Sequence, residues 1–246
     1  MNEILVIIPA YNEEANIGRV VGNLVKNHPE LDYIVVNDGS RDRTAEICRE
    51  NGYRLLDLPV NLGLAGAFQA GMRYADREGY RFAVQFDGDG QHRAEYIAPM
   101  REKMEEGYNI VIGSRFVTEK KPASARMLGS RLIAAAIRFS SGARLTDPTS
   151  GMRMYDRQMI HLFANHINYP PEPDTVSWLV KNGAKVGEVQ AVMDERTAGV
   201  SYLTPLNAMR YMTRTLLSIL FIQSFRVKEA AVMPENSSGG GKGGAK

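Results

Sequence analysis

Strand-like and helix-like segments alternate through the first 115 residues, and this alternation constrains the fold more than any other feature of the sequence. The predicted strands are 4–9, 33–37, 53–58, 82–87 and 110–114. Apolar side chains spaced at the helical period predict helices near 13–27, 41–51, 64–78 and 94–106. Such alternation forms βαβ units with right-handed crossovers. The sequence therefore predicts an α/β fold, with a mostly parallel sheet flanked by helices.

The second half of the chain lacks this regular alternation. Its predicted elements are a helix near 156–166, a proline-rich turn at 170–173, a helix through Trp178, a strand at 185–193 and a last helix at 204–225. No internal repeat or interdomain linker is visible. We therefore expect one domain over residues 1–232, followed by a disordered tail at 233–246 that is rich in glycine and serine.

Composition and charge exclude several classes of protein. The net charge of +2 over 246 residues argues against a dedicated nucleic-acid-binding protein. Cys48 is the single cysteine, so neither an internal disulfide nor a multi-thiolate metal site can form. The sequence shows no signal-peptide pattern and no apolar run of about 20 residues that could span a membrane. We expect a cytoplasmic protein.

Residues 87–92 read Asp-Gly-Asp-Gly-Gln-His, directly after the fourth predicted strand. The carboxylates of Asp87 and Asp89 are two positions apart beyond a strand end, so both can converge on one hard divalent cation. Such a cation bridges nucleotide phosphates and neutralises a departing diphosphate. An EF-hand calcium loop is excluded, because His92 and Ala98 stand where that loop requires Gly and Glu. A solvated acidic turn is the alternative interpretation.

Two more polar clusters follow predicted strands, at residues 10–13 and 38–40. Ligands of open α/β sheets bind at the carboxyl ends of the strands, so three clusters on one rim predict one site. Asp38 can accept hydrogen bonds from a base or a ribose, while Ser40 can cap the following helix. An ordinary strand–turn–helix junction would explain Gly39 and Ser40 but would leave Asp38 without a function.

Three classes of nucleotide-binding enzyme are excluded because their glycine-rich loops are absent. The chain contains no G-x-x-x-x-G-K-[ST] phosphate loop, and the first strand is followed by Pro9-Ala10-Tyr11 rather than G-x-G-x-x-G. Sugar-1-phosphate nucleotidyltransferases have a similar sheet, but the glycine-rich segment that follows their first strand is also missing here.

Seven sequence blocks occur in order and together resemble the family-2 inverting glycosyltransferases, which have the Rossmann-like GT-A fold. These blocks are 8–14, 37–40, 61–63, 87–92, 113–115, 147–151 and 195–201. They are most similar to the branch of polyprenyl-phosphate sugar transferases, which includes dolichyl-phosphate mannose synthases and bactoprenol glucosyltransferases. The resemblance covers about residues 3–202. It implies transfer of a hexose from a UDP-, GDP- or dTDP-sugar to an undecaprenyl or dolichyl phosphate, with inversion, at the cytoplasmic membrane face.

The resemblance also implies residue functions and a division of the domain. The implied ligands of the base and ribose are Pro9, Tyr11, Glu13 and Asp38, and the implied ligands of Mg²⁺ or Mn²⁺ are Asp87, Asp89 and Gln91. The arginines that would face the diphosphate or an acceptor phosphate are Arg115, Arg131 and Arg196. For these cations, a solvated basic face is the alternative. The nucleotide-binding half would span about 1–115 and the acceptor half 116–202.

The class of acceptor stays open at this point. A lipid phosphate is already anionic and needs no general base, whereas a sugar hydroxyl needs a carboxylate to remove its proton. Glu172 and Asp174 lie where related hydroxyl-accepting enzymes carry an acid, and Asp147 is a third candidate. The alternatives are therefore transfer to a hydroxyl of a lipid-linked saccharide or polysaccharide precursor, or a non-catalytic subunit that binds a nucleotide sugar.

The last predicted helix, within residues 203–228, is amphipathic and basic. Leu216, Leu217 and Leu220 lie largely on one side, while Arg210 and Arg214 lie on another. Such a helix can lie in the lipid interface, helped by anionic lipids. Packing on the domain, on a second copy of the chain or on a small membrane partner is the alternative. We expect a peripheral membrane protein.

Overall fold

The computed structural model describes residues 2–194 and 205–225, which form one seven-stranded sheet with helices on both faces. The strands are β1 (Ile4–Ala10), β2 (Asp32–Asn37), β3 (Leu55–Asp57), β4 (Phe82–Gln85), β5 (Ile110–Ser114), β6 (Arg153–Asp156) and β7 (Val186–Gln190). Their order across the sheet is β3-β2-β1-β4-β6-β5-β7. β6 runs antiparallel to β4 and β5, and the other pairs are parallel. The predicted mostly parallel α/β fold is confirmed.

Eight helices surround this sheet in the described part of the chain. They are α1 (Ile17–Asn27), α2 (Thr44–Glu50), α3 (Gly63–Arg77), α4 (Ile97–Met104), α5 (Ala125–Ser141), α6 (Arg157–Asn165), α7 (Pro173–Lys181) and α8 (Pro205–Leu220). Short 3₁₀ turns precede α4 at Ala94–Tyr96 and follow α8 at Ile222–Phe225. The start and end of the predicted 203–228 helix, at 203–204 and 226–228, and the predicted tail at 233–246 lie outside the described residues.

The first half of the chain matches the predicted elements closely. The clearest difference is the start of α1, which begins at Ile17 rather than near residue 13. Asn12 adopts a left-handed backbone with φ +55°, and the carbonyl of Glu13 accepts the amide hydrogens of Asn16 and Ile17. Residues 11–16 therefore form a loop at the carboxyl end of β1, where ligands of such sheets bind.

Two elements, β6 and α5, were not predicted from the sequence. β6 has only four residues, and its sequence Arg-Met-Tyr-Asp lacks the alternation that marks a half-buried strand. It forms because it lies between β4 and β5, where Met154 pairs with Val84 and Val111. α5 is capped by Ser124, whose hydroxyl oxygen accepts the Met127 amide hydrogen at 3.3 Å.

The hydrophobic core is divided between the two faces of the sheet. One face packs Ile7, Val36 and Ile112 against α3, α5, α6 and α7, while the other packs Val6, Val35 and Val111 against α1, α2 and α4. Strands that are buried on both faces are apolar throughout, as β1 is, and this pattern is typical of parallel sheets. Among residues 2–194 and 205–225, no helix is both long and apolar enough to cross a membrane.

α5 and α8 form an outer pair of helices that covers α7. The α7 residues Pro173–Leu179 are buried, and α7 packs against both outer helices. α5 and α8 approach closely at Gly129, where an added Cβ would collide with the sulfur of Met212. The Ser140 hydroxyl donates a hydrogen bond to the Ile219 carbonyl at 3.4 Å. The faces of α5 and α8 that point away from α7 are consequently exposed.

Candidate active site

Two loops at the carboxyl ends of β1 and β2 are joined by hydrogen bonds. The amide hydrogen of Asn12 is donated to the Ser40 hydroxyl at 3.0 Å, and that of Glu13 to the Thr44 hydroxyl at 2.8 Å. In the other direction, the Arg41 amide donates to the Asn12 side chain at 2.9 Å. These bonds bring the predicted ligands Pro9, Tyr11, Glu13 and Asp38 together at one edge of the sheet.

Asp38 is buried, with 3% of its surface exposed, and it joins the β2 edge to the start of α3. Its carboxylate accepts the Leu62 amide hydrogen at 2.7 Å, and its own amide donates to the Ala10 carbonyl at 2.8 Å. Gly39 follows with φ +63°, and a Cβ there would lie 2.6 Å from the Asn61 nitrogen. Glycine is therefore required at this close approach, and Asp38 has a structural function besides any contact with a ligand.

The Asp87–His92 loop follows β4 at the centre of the same edge. The Asp87 amide donates to Nδ1 of His92 at 2.9 Å, so a neutral imidazole carries its proton on Nε2. That Nε2 lies 3.6 Å from the Asp87 carboxylate. Gly151 approaches from the loop that precedes β6, and an added Cβ there would lie 2.5 Å from the same carboxylate. Asp87 is thus held between a buried histidine and a glycine, with 39% of its side chain exposed.

Asp89 and Gln91 lie farther along this loop. The Gln91 amide donates to the Asp89 carboxylate at 3.1 Å, and the Gln91 side chain donates to the Asp194 carbonyl at 3.3 Å. A Cβ at Gly88 would lie 3.2 Å from the Pro9 carbonyl, so the loop packs directly on the end of β1. This contact joins the predicted metal ligands to the predicted nucleotide ligands.

The donor set of this loop fits a divalent cation that also binds phosphate. Two carboxylates and an amide supply the oxygen atoms that Mg²⁺ and Mn²⁺ prefer. Within residues 2–194 and 205–225, no group of three or more acidic, histidine or cysteine side chains forms a closed metal site. An open set of this kind leaves coordination positions for phosphate oxygens, as in nucleotide sites.

Asp147 forms a buried ion pair with Arg115. Asp147 is 0% exposed, and Arg115 donates to its two oxygens from Nε at 2.7 Å and Nη2 at 2.9 Å. The Thr149 hydroxyl donates to Asp147 at 3.1 Å, and the Glu188 carboxylate accepts the Asp147 amide hydrogen at 2.8 Å. The candidate base Asp147 is therefore bound to the candidate phosphate ligand Arg115.

Lys121 and Arg131 form a second group of cations near this pair. Lys121 donates to the Ser130 hydroxyl at 2.8 Å, and Arg131 donates to the Lys121 carbonyl at 2.9 Å. Burial lowers the pKa of Lys121, as do the nearby cations Arg115 and Arg131, although Asp147 opposes this effect. Arg131 is exposed. Arg196, the third predicted arginine, lies outside the described residues.

Glu172 and Asp174, at the start of α7, face the C-terminal helix α8. Asp174 is 8% exposed and accepts a hydrogen bond from the Ser218 hydroxyl at 2.7 Å. Burial raises the pKa of Glu172, and the charge of Asp174 raises it further, while Arg153, Arg214 and the Tyr211 hydroxyl oppose this shift. The structure thus brings these two acids together under α8.

Three residues with clear contacts in this site were not assigned a function from the sequence. His92 holds Asp87, Glu188 accepts the amide hydrogens of Thr146 and Asp147, and Arg153 is buried beside the 147–150 loop. His92 lies inside the 87–92 block and Arg153 lies two residues after the 147–151 block. Their proximity to these blocks could have indicated that they belong to the site. Glu188 lies in β7, 41 residues from Asp147, and only the pairing of β5 with β7 brings it to the site.

A mostly parallel sheet with an Asp-x-Asp loop after its fourth strand defines the GT-A class of glycosyltransferase fold. Solved structures of glucosyl-3-phosphoglycerate synthase from Mycobacterium tuberculosis share this fold with a TM-score of 0.60 and 22% identity, over 89% of this chain and 80% of that chain. The family model described as glycosyl transferase family 2 matches residues 5–163.

Characterised relatives give the same assignment. Polyprenol monophosphomannose synthase of Mycolicibacterium smegmatis is 30% identical over 221 residues, which cover 85% of this chain and 83% of that protein. Undecaprenyl-phosphate mannosyltransferase of Micrococcus luteus is 30% identical over 82% of this chain and 87% of its own. Dolichyl-phosphate hexose transferase of Haloferax volcanii is 27% identical over 92% and 97%. The chain belongs to glycosyl transferase family 2 and is a glycosyltransferase, so the non-catalytic interpretation is not supported.

Proposed function

We propose that this protein transfers a hexose from a nucleotide sugar to a polyprenyl phosphate, with inversion and with a divalent cation, at the cytoplasmic face of a membrane. Three relatives that match most of the chain are named as a polyprenol monophosphomannose synthase, an undecaprenyl-phosphate mannosyltransferase and a dolichyl-phosphate hexose transferase. The solved neighbours include complexes with Mn²⁺ and UDP-glucose. Both observations support this class of donor and acceptor.

The observation that carries the proposal is the state of two of the three candidate bases, Asp147 and Asp174. Asp147 is fully buried and bound to Arg115, and Asp174 is bound to Ser218 under α8. Neither is available to remove a proton from a sugar hydroxyl. A phosphate acceptor is ionised near neutral pH and brings its own nucleophilic oxygen, so alignment and charge balance are what it requires.

The site residues divide between donor and acceptor in this proposal. Pro9, Tyr11, Glu13 and Asp38 hold the base and ribose, and the cation ligands are Asp87, Asp89 and Gln91. The cation, when bound, neutralises the charge of the departing nucleoside diphosphate. Arg115, Arg131 and Arg196 attract the phosphates of donor and acceptor, and the N-terminal and C-terminal halves meet at Asp87.

Inversion follows from a single displacement. The acceptor phosphate oxygen forms a bond to the anomeric carbon from the side opposite the diphosphate, and the bond from that carbon to the diphosphate oxygen breaks. The electron pair leaves with the nucleoside diphosphate, where cations stabilise it. No protein side chain needs to form a covalent intermediate or to accept a proton.

The exposed faces of α5 and α8 support the membrane location. On α5, Leu128, Leu132 and Phe139 are exposed, and Phe139 is 87% exposed. On α8 the exposed apolar residues are Met209, Leu217 and Leu220. Arginines flank both faces, and neither helix contains an acidic residue. An apolar face that is flanked by cations and lacks acidic residues fits an anionic lipid interface.

A transfer assay tests the proposed activity. The purified protein is incubated with undecaprenyl phosphate and with radiolabelled UDP-, GDP- or dTDP-hexoses, in Mn²⁺ or in EDTA. We expect one donor to give a lipid-linked hexose of inverted anomeric configuration, and EDTA to abolish the product. Hydrolysis of a donor without any lipid-linked product, over all three nucleotides, would contradict a polyprenyl phosphate acceptor.

A second candidate function is transfer to a hydroxyl group, with Glu172 as the base. The raised pKa of Glu172 favours this alternative, because a general base is most effective when its pKa lies near the working pH. Under the lipid-phosphate proposal, Glu172→Gln should retain transfer within about tenfold, whereas loss of a general base costs about 10²–10⁴-fold.

Asp147→Asn is the companion variant for this comparison. We expect a large loss of turnover, because Arg115 loses its buried counter-charge and the 147–150 loop loses its anchor. Steady-state rates with undecaprenyl phosphate measure both variants. A large loss for Glu172→Gln with a small loss for Asp147→Asn would favour the hydroxyl acceptor.

A further inference from the structure

Arg153 is a buried guanidinium that reaches two loops of the acceptor half. It is 2% exposed and is the first residue of β6, opposite Gln85 in β4. Its Nη2 donates to the Pro148 carbonyl at 2.9 Å, and its Nη1 donates to the Pro171 carbonyl. One side chain therefore joins the loop that contains Asp147 to the turn that precedes Glu172.

The surroundings of Arg153 are polar and closely packed. The Nε of Arg153, the Oε1 of Gln85 and the hydroxyl of Tyr155 are buried without a hydrogen-bond partner in the part of the chain that the structure describes. These three residues share one face of the sheet, since Arg153 pairs with Gln85 and Tyr155 pairs with Ala83. Gln85 in turn donates to Asp87 at 3.4 Å. Arg153 thus lies between the 147–150 loop and the 170–172 turn on one side and β4, which leads into the Asp87 loop, on the other.

The position requires the geometry of arginine. A planar guanidinium can donate to two carbonyls in fixed directions, whereas a lysine ammonium acts as a point charge. The carboxylate of Glu172 provides a nearby opposite charge, so the buried cation is partly compensated. Both hydrogen bonds of Arg153 are to backbone carbonyls and neither is to a residue assigned to bind substrate or cation. Arg153 therefore affects the geometry of the loops rather than the chemical step.

We propose that Arg153 is a positioning residue that holds the 147–150 loop and the 170–172 turn in register with the Asp87 loop. The expected effect of Arg153 on turnover rests on the proposed function, whereas its expected effect on the order of the two loops does not. Without Arg153, the loops after β1 and β2 remain joined by their hydrogen bonds, and the Asp87 loop keeps its internal bond to His92. The 147–150 loop and the 170–172 turn lose the side chain that bonds to both. We therefore expect the nucleotide-sugar donor to bind still, while the lipid-phosphate acceptor is misaligned.

The test compares Arg153→Lys and Arg153→Met with a matched control, Arg73→Lys. Arg73 also donates to a backbone carbonyl, that of Ala164 at 3.0 Å, but it lies between α3 and α6. Hydrogen exchange by mass spectrometry is measured on peptides covering 146–152, 169–176 and 4–10. We expect exchange in the first two segments to rise by about tenfold or more in both Arg153 variants, with 4–10 unchanged.

A second readout uses the products of wild type and variants with undecaprenyl phosphate as acceptor. We expect the Arg153 variants to bind Mn²⁺ and the donor's nucleoside diphosphate within about threefold of wild type, while the ratio of transfer to donor hydrolysis falls by about tenfold or more. Arg73→Lys should change neither quantity.

The outcomes separate this inference from the proposed function. Unchanged exchange in Arg153→Lys, or a uniform rise in all three segments, would overturn the positioning role, and Arg153→Lys keeps the test decisive if Arg153→Met does not fold. A wild-type protein that transfers nothing to undecaprenyl phosphate would overturn the proposed function alone, because the exchange result does not depend on the acceptor.

Discussion

At the scale of single residues, the site is organised by carboxylates in different environments. Asp87 and Asp89 remain partly exposed on the rim, whereas Asp147 and Asp174 are buried and hydrogen-bonded. Glu172 lies between these extremes, with a raised pKa. Exposed oxygens can bind a cation, while buried ones hold loops in place, so similar side chains serve different functions in one site.

Asp89→Asn tests the metal function at this scale. The substitution is nearly isosteric on a rim loop, so the fold should persist while turnover falls by about 10² or more, because a ligand of the charge-neutralising cation is weakened. Turnover is measured over a Mn²⁺ titration, with exposed Glu102→Gln as the control. Near-normal turnover in Asp89→Asn, together with full wild-type activity in EDTA, would refute the metal assignment.

Glu172 should also affect stability as a function of pH. Its pKa in the folded protein is raised above the ordinary value of 4.5, so the folded state binds the proton more tightly than the unfolded state. The associated stabilisation is present below pH 4.5 and is lost as the pH rises through the folded pKa. The Glu172→Gln variant has no such loss. Its Tm, compared with that of wild type, should therefore rise as the pH increases from 4 to 8.

Thermal unfolding at several pH values measures this difference. Glu102→Gln, an exposed substitution on α4, serves as the control and should follow wild type. A Tm difference between Glu172→Gln and wild type that stays constant, or that shrinks with rising pH, would show that burial of Glu172 does not disfavour its charge.

At the scale of elements, α5, which the sequence did not predict, pairs with α8, which it did. They share an apolar exterior, cover α7, and enclose Glu172 and Asp174 beneath them. α8 packs against α7, and its residues Tyr211 and Arg214 lie beside Glu172. We therefore expect a shift of α8 to move the 170–172 turn. Membrane contact and site geometry are therefore coupled through the same helices in the proposed function.

Substitutions on these helices test membrane contact. Leu132→Glu and Phe139→Glu place an acid in the exposed face of α5 and should reduce sedimentation with anionic vesicles several-fold, since charge repulsion and lost apolar burial act together. Val25→Glu on α1, where Val25 is 44% exposed, is the matched control.

Salt and lipid composition complete this test. Wild-type binding to anionic vesicles should fall with rising salt, because exposed charges are screened. Equal sedimentation with neutral and anionic vesicles, or loss of a dimer in Leu132→Glu, would instead favour a second copy of the chain as the partner of this surface.

At the scale of the whole molecule, the edge of the sheet at the carboxyl ends of β1, β2 and β4 joins loops from all three strands. The loops after β1, β2 and β4 are connected by hydrogen bonds and close backbone approaches, as between Gly88 and Pro9. A nucleoside diphosphate that contacts these loops should stabilise the folded protein by mass action, by about 2.7 kcal/mol at a concentration of 100 Kd.

A thermal-shift panel measures this stabilisation. UDP, GDP and dTDP are compared with and without Mn²⁺, and we expect one nucleotide to raise the Tm in Mn²⁺ and to have little effect in EDTA. Asp89→Asn should lose the Mn²⁺-dependent part of the shift. An equal shift for all three nucleotides, independent of metal, would contradict a specific nucleotide site.

The sequence by itself determined the α/β class, the family and the rim on which the polar clusters lie. Periodicity identifies β1 to β5 and the helices between them, because those strands are buried and continuous in sequence. Strand ends of a parallel sheet share one edge, so the sequence alone assigns residues 10–13, 38–40 and 87–92 to one site.

Only the tertiary structure decided the environment of each acid. Asp147 pairs with Arg115 across 32 residues and with Glu188 across 41, and β6 forms only because β4 and β5 lie on either side of it. Glu172 and Asp174 lie beneath α8, more than 30 residues later in the chain. Such contacts depend on how distant segments pack, and local propensity and spacing carry no information about that packing.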